Sequence, residues 1–73
     1  MKEVTLAEKE EFITLGQFLK YTGTIQTGGG AKFFLMNNEV YVNGERETRR
    51  GKKLREGDRI KIAKTGEFVI GRP

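Results

Sequence analysis

Five of the seven residues from Arg49 to Arg55 are cationic, namely Arg49, Arg50, Lys52, Lys53 and Arg55, and no acid stands among them. Like charges at that density repel one another unless an anion lies between them. A sugar-phosphate backbone is such an anion, because each Lys or Arg that displaces a condensed counterion releases it into bulk solution, with steep salt dependence as the signature. Arg46 extends the same stretch upstream. A second feature is Gly28-Gly29-Gly30, which follows Thr27 and precedes Lys32 in an apolar helical repeat. The first amides of a helix lack intrahelical partners and the helix dipole favours negative charge there, so a phosphate can approach a backbone that carries no β-carbons. The three glycines equally fit a loop that needs positive φ or tight packing between helices. They do not fit a nucleotide-triphosphate loop, since the G-x-x-x-x-G-K-[ST] spacing is missing.

Aromatic residues offer the other chemistry. Tyr21 and Phe33 lie beside Lys20 and Lys32 and off the apolar faces, where either can stack on an unpaired base. Tyr41 is expected at a sheet edge, partly covered, while Phe18, Phe34 and Phe68 fit apolar faces and read as core. Acids suggest no active site. Glu45 and Glu47 read as lying on opposite faces of an extended chain, and Glu56 and Asp58 flank Gly57, with Asp58 expected to accept from amides of its own turn. No nucleophile or ligand set accompanies any of them. With neither His nor Cys in the chain, imidazole and thiol catalysis, disulfides and the common soft metal sites are excluded. A non-catalytic protein without cofactor, metal or small-molecule substrate is expected.

These residues must be positioned by one small domain. The 73 residues carry 14 Lys and Arg against 10 Asp and Glu, and the excess is not spread evenly. Met1 to Ile13 holds two lysines against four glutamates, whereas residues 14–73 hold twelve basic and six acidic side chains. The division expected is therefore an acidic leader, residues 1–13, ahead of a basic domain, residues 14–73. Lys2 to Leu6 alternates weakly and can add an edge strand. No apolar run is long enough to cross a bilayer, and the first residues lack the order of a signal peptide, so a cytoplasmic monomer is expected.

Thr14 is a candidate N-cap for a first helix carrying Leu15, Phe18 and Leu19, which Gly23 stops in the left-handed region. Thr27 is the candidate N-cap of a second, with Ala31, Phe34 and Leu35 inward and Asn38 as its left-handed terminal residue. Val40-Tyr41-Val42 is a strand that Asn43-Gly44 turns. Glu45 to Arg55 reads as an exposed loop with Leu54 tucked beneath. Arg59 to Ile62 alternates as a strand, and Thr65-Gly66 reverses the chain into Phe68-Val69-Ile70. The fold class is α+β, with two helices packed on a small, mainly antiparallel sheet of three to four strands.

Laid along the chain without gaps, Leu15, Leu19, Gly23, Thr27, Ala31, Val40-Tyr41-Val42-Asn43-Gly44, Leu54, Gly57-Asp58 and Ile60 resemble the pattern of the S4 domain, an αL-type RNA-binding motif. The short length, the triple glycine and the segments TLGQFLK and RRGKKL look similar to its small, stand-alone YaaA-type bacterial members. The resemblance implies binding of structured or ribosomal RNA through the two helices and the adjoining loop. The Ser-Arg pair of the family is Thr27-Gly28 here, so that Arg contact does not transfer, and only Lys20 and Lys32 keep basic side chains on the helical pair. The expected RNA-binding residues are Lys20, Thr27, Gly28, Gly29, Gly30, Lys32, Arg46, Arg49, Arg50, Lys52, Lys53 and Arg55, with Tyr21 and Phe33 for base stacking. Two other readings fit part of the pattern: a β-grasp-like carrier or interaction protein, and attachment to an anionic membrane. The chain ends Gly71-Arg72-Pro73 without the Gly-Gly tail of a sulfur carrier, and no apolar anchor adjoins the basic loop.

Overall fold

The computed structural model describes residues 1–73. Nine short elements follow in order: β1 (Lys2–Thr5), β2 (Ile13–Thr14), α1 (Leu15–Tyr21), α2 (Gly30–Asn37), β3 (Val40–Val42), β4 (Glu45–Arg46), β5 (Lys53–Leu54), β6 (Arg59–Ile62) and β7 (Gly66–Gly71). The main sheet runs β1-β7-β6-β3-β4, and β2 pairs separately with β5. The architecture is α+β, as the sequence pattern indicates. The sheet has five strands rather than three to four, because Lys2–Thr5 joins one edge parallel to β7 and Glu45–Arg46 joins the other. The remaining pairings in it are antiparallel.

Alternation sorts the sheet into two faces. Val40, Val42, Ile60, Ile62, Phe68 and Ile70 point inward and are buried, against Leu15, Phe18 and Leu19 of α1 and Ala31 and Leu35 of α2. Phe18 meets Phe68 edge-on, with centroids 5.3 Å apart. Leu6 and Ile13 are buried in the same cluster, so residues 1–13 supply core side chains as well as an edge strand. No helix is long and apolar enough to cross a membrane.

Local chemistry accounts for the helix ends. The Gln17 amide donates to Thr14 Oγ1 while Gln17 Oε1 accepts from the Thr14 amide, a reciprocal capping box. Beyond α1, Gly23 takes φ +77° and its amide donates to the Lys20 carbonyl. Two helix-end expectations are corrected. Thr27 is not the side-chain cap of α2: Gly29 occupies that position, and Thr27 contributes its carbonyl to the Gly30 amide. Asn38 is extended, at φ −138°, rather than left-handed. Its side-chain amide donates to the Phe34 carbonyl, and that of Asn37 to Phe33, so the terminal carbonyls are satisfied without an αL residue. Asn43 and Gly44, at φ +52° and +85°, form the hairpin turn that their dipeptide predicts.

Candidate nucleic-acid interface

The stretch from Glu45 to Arg55 is not a free loop. Short strands bracket it, and its middle is fastened to the start of α1, where the Leu15 amide donates to the Lys52 carbonyl at 2.8 Å and the Gly16 amide to the Arg50 carbonyl at 2.9 Å. Two orphan donors of the first helical turn are thereby satisfied by loop backbone. A β-carbon on Gly16 would lie 3.5 Å from the Arg50 carbonyl oxygen and 3.6 Å from Ala31, so this crossing is close. Antiparallel pairing of Ile13 with Leu54 and Thr14 with Lys53 extends the attachment, and both apolar partners are buried.

Glu47 shapes the entry to the loop. Only 8% exposed, its carboxylate accepts from the Thr48 and Arg49 amides at 3.0 and 2.9 Å. Arg49 adds a side-on pair, with Nε at 3.1 Å and Nη2 at 3.2 Å. The hydrogen-bonded Arg49 guanidinium holds the Glu47 carboxyl below its ordinary pKa, against the opposing effect of burial. Glu45 and Glu47, expected on opposite faces, do meet different surroundings: Glu45 is exposed, whereas Glu47 turns inward because this turn offers it donors.

Attachment to α1 brings cations from distant sequence positions together. Lys20, Gly28 and Arg50 line one cleft with Gly16 and Ala31. A neighbouring groove, which shares Gly51 with it, is lined solely by Arg49, Gly51, Lys52, Lys53 and Arg55. Arg46 meets Arg49 and Lys52 around a third depression, also bordered by Glu45 and Glu47. Among the cations of these grooves, Arg49 alone forms an ion pair, since the other salt bridge of the molecule joins Arg72 to Glu56. Arg46 stands on the rim and points Nη2 toward the Asn38 carbonyl at 3.5 Å.

Thr27, Gly29, Gly30 and Lys32 line none of these grooves, although Lys32 is exposed on α2 next to Ala31. Tyr21 and Phe33 are exposed at 60% and 72%, outside the grooves. Positive φ does not explain the triple glycine, for none of residues 28–30 adopts it. Nor does crowding explain Gly28 and Gly29, where an added β-carbon would meet nothing within 4 Å. Gly30 is not a free anion donor, because its amide is taken by Thr27. Asp58 accepts from the Arg55 amide of its own turn, as its position suggests, and also from Asn43 Nδ2.

Three contributors were not singled out from the residues alone. Gln17 is legible in retrospect as the fourth residue of a Thr-x-x-Gln capping box. Glu47 carries no sequence signal, since its burial depends on the turn that follows. Phe12 lies under Lys53 and Arg55, with Nζ 4.9 Å and Cζ 5.5 Å from its ring centroid, and only the pairing of β2 with β5 reveals it.

The sequence profile described as the S4 domain matches residues 4–70. The probable ribosome maturation protein RlbA of Bacillus subtilis (strain 168) is 53% identical over 60 residues, covering 82% of this chain and 84% of that protein. With the profile spanning nearly the whole chain and the two helices, sheet and attached basic loop in place, the chain belongs to the S4 domain family.

Proposed function

We propose that this chain is a non-catalytic RNA-binding module acting in the cytoplasm as a monomer, and that it engages ribosomal RNA during ribosome maturation. The observation that carries the reading is the convergence of Lys20, Arg50, Lys52, Lys53 and Arg55 on adjoining grooves without a carboxylate partner. Solvated cations kept for solubility would be interspersed with acids, whereas here the one paired carboxylate at the grooves, Glu47, engages Arg49 and leaves these five unpaired. Family membership and the ribosome maturation protein among its relatives support the same conclusion.

Mechanistically, phosphates exchange their counterions for the groove side chains, with Gly28 letting the strand come close to the backbone between α1 and α2. Because the contacts come from helix, turn and strand at once, recognition follows RNA shape more than base order. The exposed Tyr21 and Phe33 are available to unpaired bases at the margin.

Filter binding of purified B. subtilis ribosomal RNA across two salt concentrations tests this. Replacing Arg50→Ala together with Lys53→Ala should weaken binding and flatten the salt slope by roughly 0.7 for each single-strand phosphate that the protein ceases to neutralise. Unchanged affinity and slope would remove the grooves from consideration.

A further inference from the structure

Phe12 is half-buried, yet it does not belong to the core. In the β2–β5 ribbon Ile13 stands opposite Leu54 and both turn inward. Phe12, one residue earlier, therefore faces the other way, on the side that carries Lys53 and Arg55. Lys53 Nζ sits 4.9 Å and Arg55 Cζ 5.5 Å from its ring centroid, within the range where a cation is attracted by the ring quadrupole. Glu10 and Glu11 are close in sequence, but neither pairs with these cations. An aromatic ring, rather than a carboxylate, gathers the two charges.

The chemistry of that choice matters for a phosphate site. A carboxylate would cancel charge that the phosphate needs, and an aliphatic side chain would leave two long, mutually repelling side chains free to rotate. A ring restrains both and removes neither charge. We propose that Phe12 is a positioning residue of the RNA-binding face, holding Lys53 and Arg55 side by side at the end of the basic groove so that both meet the RNA backbone already ordered. This rests on the RNA-binding reading and adds to it a residue that itself carries no charge.

The test uses the full chain and purified B. subtilis ribosomal RNA in filter binding, with Phe12→Leu, Phe12→Tyr and pentafluorophenylalanine at position 12. Pentafluorophenylalanine nearly preserves the ring's shape while reversing its quadrupole, so it answers the question even where Phe12→Leu melts early. The Leu and pentafluoro variants should bind about three- to tenfold more weakly, the scale of one or two exposed cation–π contacts, while Tyr stays near wild type. On a Lys53→Ala/Arg55→Ala background the ring substitutions should make no further difference. Wild-type affinity in the Leu and pentafluoro variants, or a loss that persists undiminished on that background, overturns the inference alone. Failure of the wild-type chain to bind RNA overturns it together with the reading on which it rests.

Discussion

The loop-bearing side of this molecule and the outer face of its sheet both display basic residues, but they handle charge in opposite ways. Around the grooves, Lys20, Arg50, Lys52, Lys53 and Arg55 pair with no carboxylate, and Arg49 alone is paired, with Glu47. On the outer sheet face the register sets Lys61 opposite both Tyr41 and Glu67, and Arg59 opposite Val69, whose other neighbour is Glu3. Three cations, Arg46, Arg59 and Lys61, share that face with Glu3 and Glu67, Lys61 directly opposite Glu67, and the Tyr41 hydroxyl donates to Glu39, a bond that raises its pKa. Alternating charge along strand pairs is how a solvated sheet face stays soluble and unattractive to other strands. On the proposed reading, it is the separation of cations from acids, rather than net charge, that marks out the RNA-binding face.

Charge reversal breaks or sharpens that comparison most forcefully. Arg50→Glu with Lys53→Glu, and Arg59→Glu with Lys61→Glu, change the formal net charge from +4 by the same four units, so any difference between them reports location alone. The first pair should lower RNA affinity on the order of 100- to 1000-fold, four charge units at about 1 kcal/mol each less the part that salt screens. The second should stay within roughly threefold at physiological salt, since charges beyond a Debye length are largely screened. Equal losses for the two pairs would mean that only total charge matters, and the assignment of a face would fall.

Glu47 is where the two regions differ in their acids: Glu3 and Glu67 are exposed on the sheet, whereas Glu47 is buried in service of the loop. Glu47→Gln keeps the shape and loses the charge on the bonds to the Thr48 and Arg49 amides and to the Arg49 side chain, so urea denaturation should show a lower midpoint at neutral pH. The pH dependence has a definite sign. The folded carboxyl titrates below its unfolded value near 4.5, so its contribution is full above that value and disappears as pH falls through the lower folded pKa. Stability of the wild type should therefore fall more steeply than that of Glu47→Gln on the acid side. Superimposable acid limbs would show that the carboxylate is not held as the structure implies.

The contrast also explains what the sequence could disclose. Alternation in Val40–Val42 and Arg59–Ile62, the Asn43-Gly44 turn, and the spacing of Leu15, Phe18 and Leu19 are local signals, and local rules read them correctly. The density of cations from Arg49 to Arg55 is equally plain. Contacts between distant segments are not: the loop carbonyls that accept from Leu15 and Gly16, the parallel seat of Lys2–Thr5 beside β7, and Phe12 beneath Lys53 each depend on a pairing that neither segment specifies alone. The Asn38 expectation failed for a related reason, because two side-chain donors relieved the helix end of any need for a left-handed residue.

Gly28 and Gly29 give the smallest effect and the sharpest distinction. Glycine is costly to order, and the protein alone supplies no reason to keep it here: neither residue has positive φ, and neither β-carbon would touch anything within 4 Å. Gly29 already adopts α-helical angles, at φ −66° and ψ −22°, which alanine accepts. Gly29→Ala should therefore raise stability by about 0.4–1 kcal/mol, through the narrower unfolded ensemble. A phosphate seated against this backbone would then meet a methyl group, and RNA affinity should fall by about 0.3–1 kcal/mol, the scale of one helix-end anion contact. Gly28→Ala, which adds its methyl beside Lys20 and Arg50, should show the larger binding loss of the two. A thermal melt and a filter-binding titration on each variant check both directions. If the alanines stabilise the chain and leave RNA affinity untouched, the strand does not pass over these glycines, and the grooves lined by Arg49 to Arg55 must hold it without them.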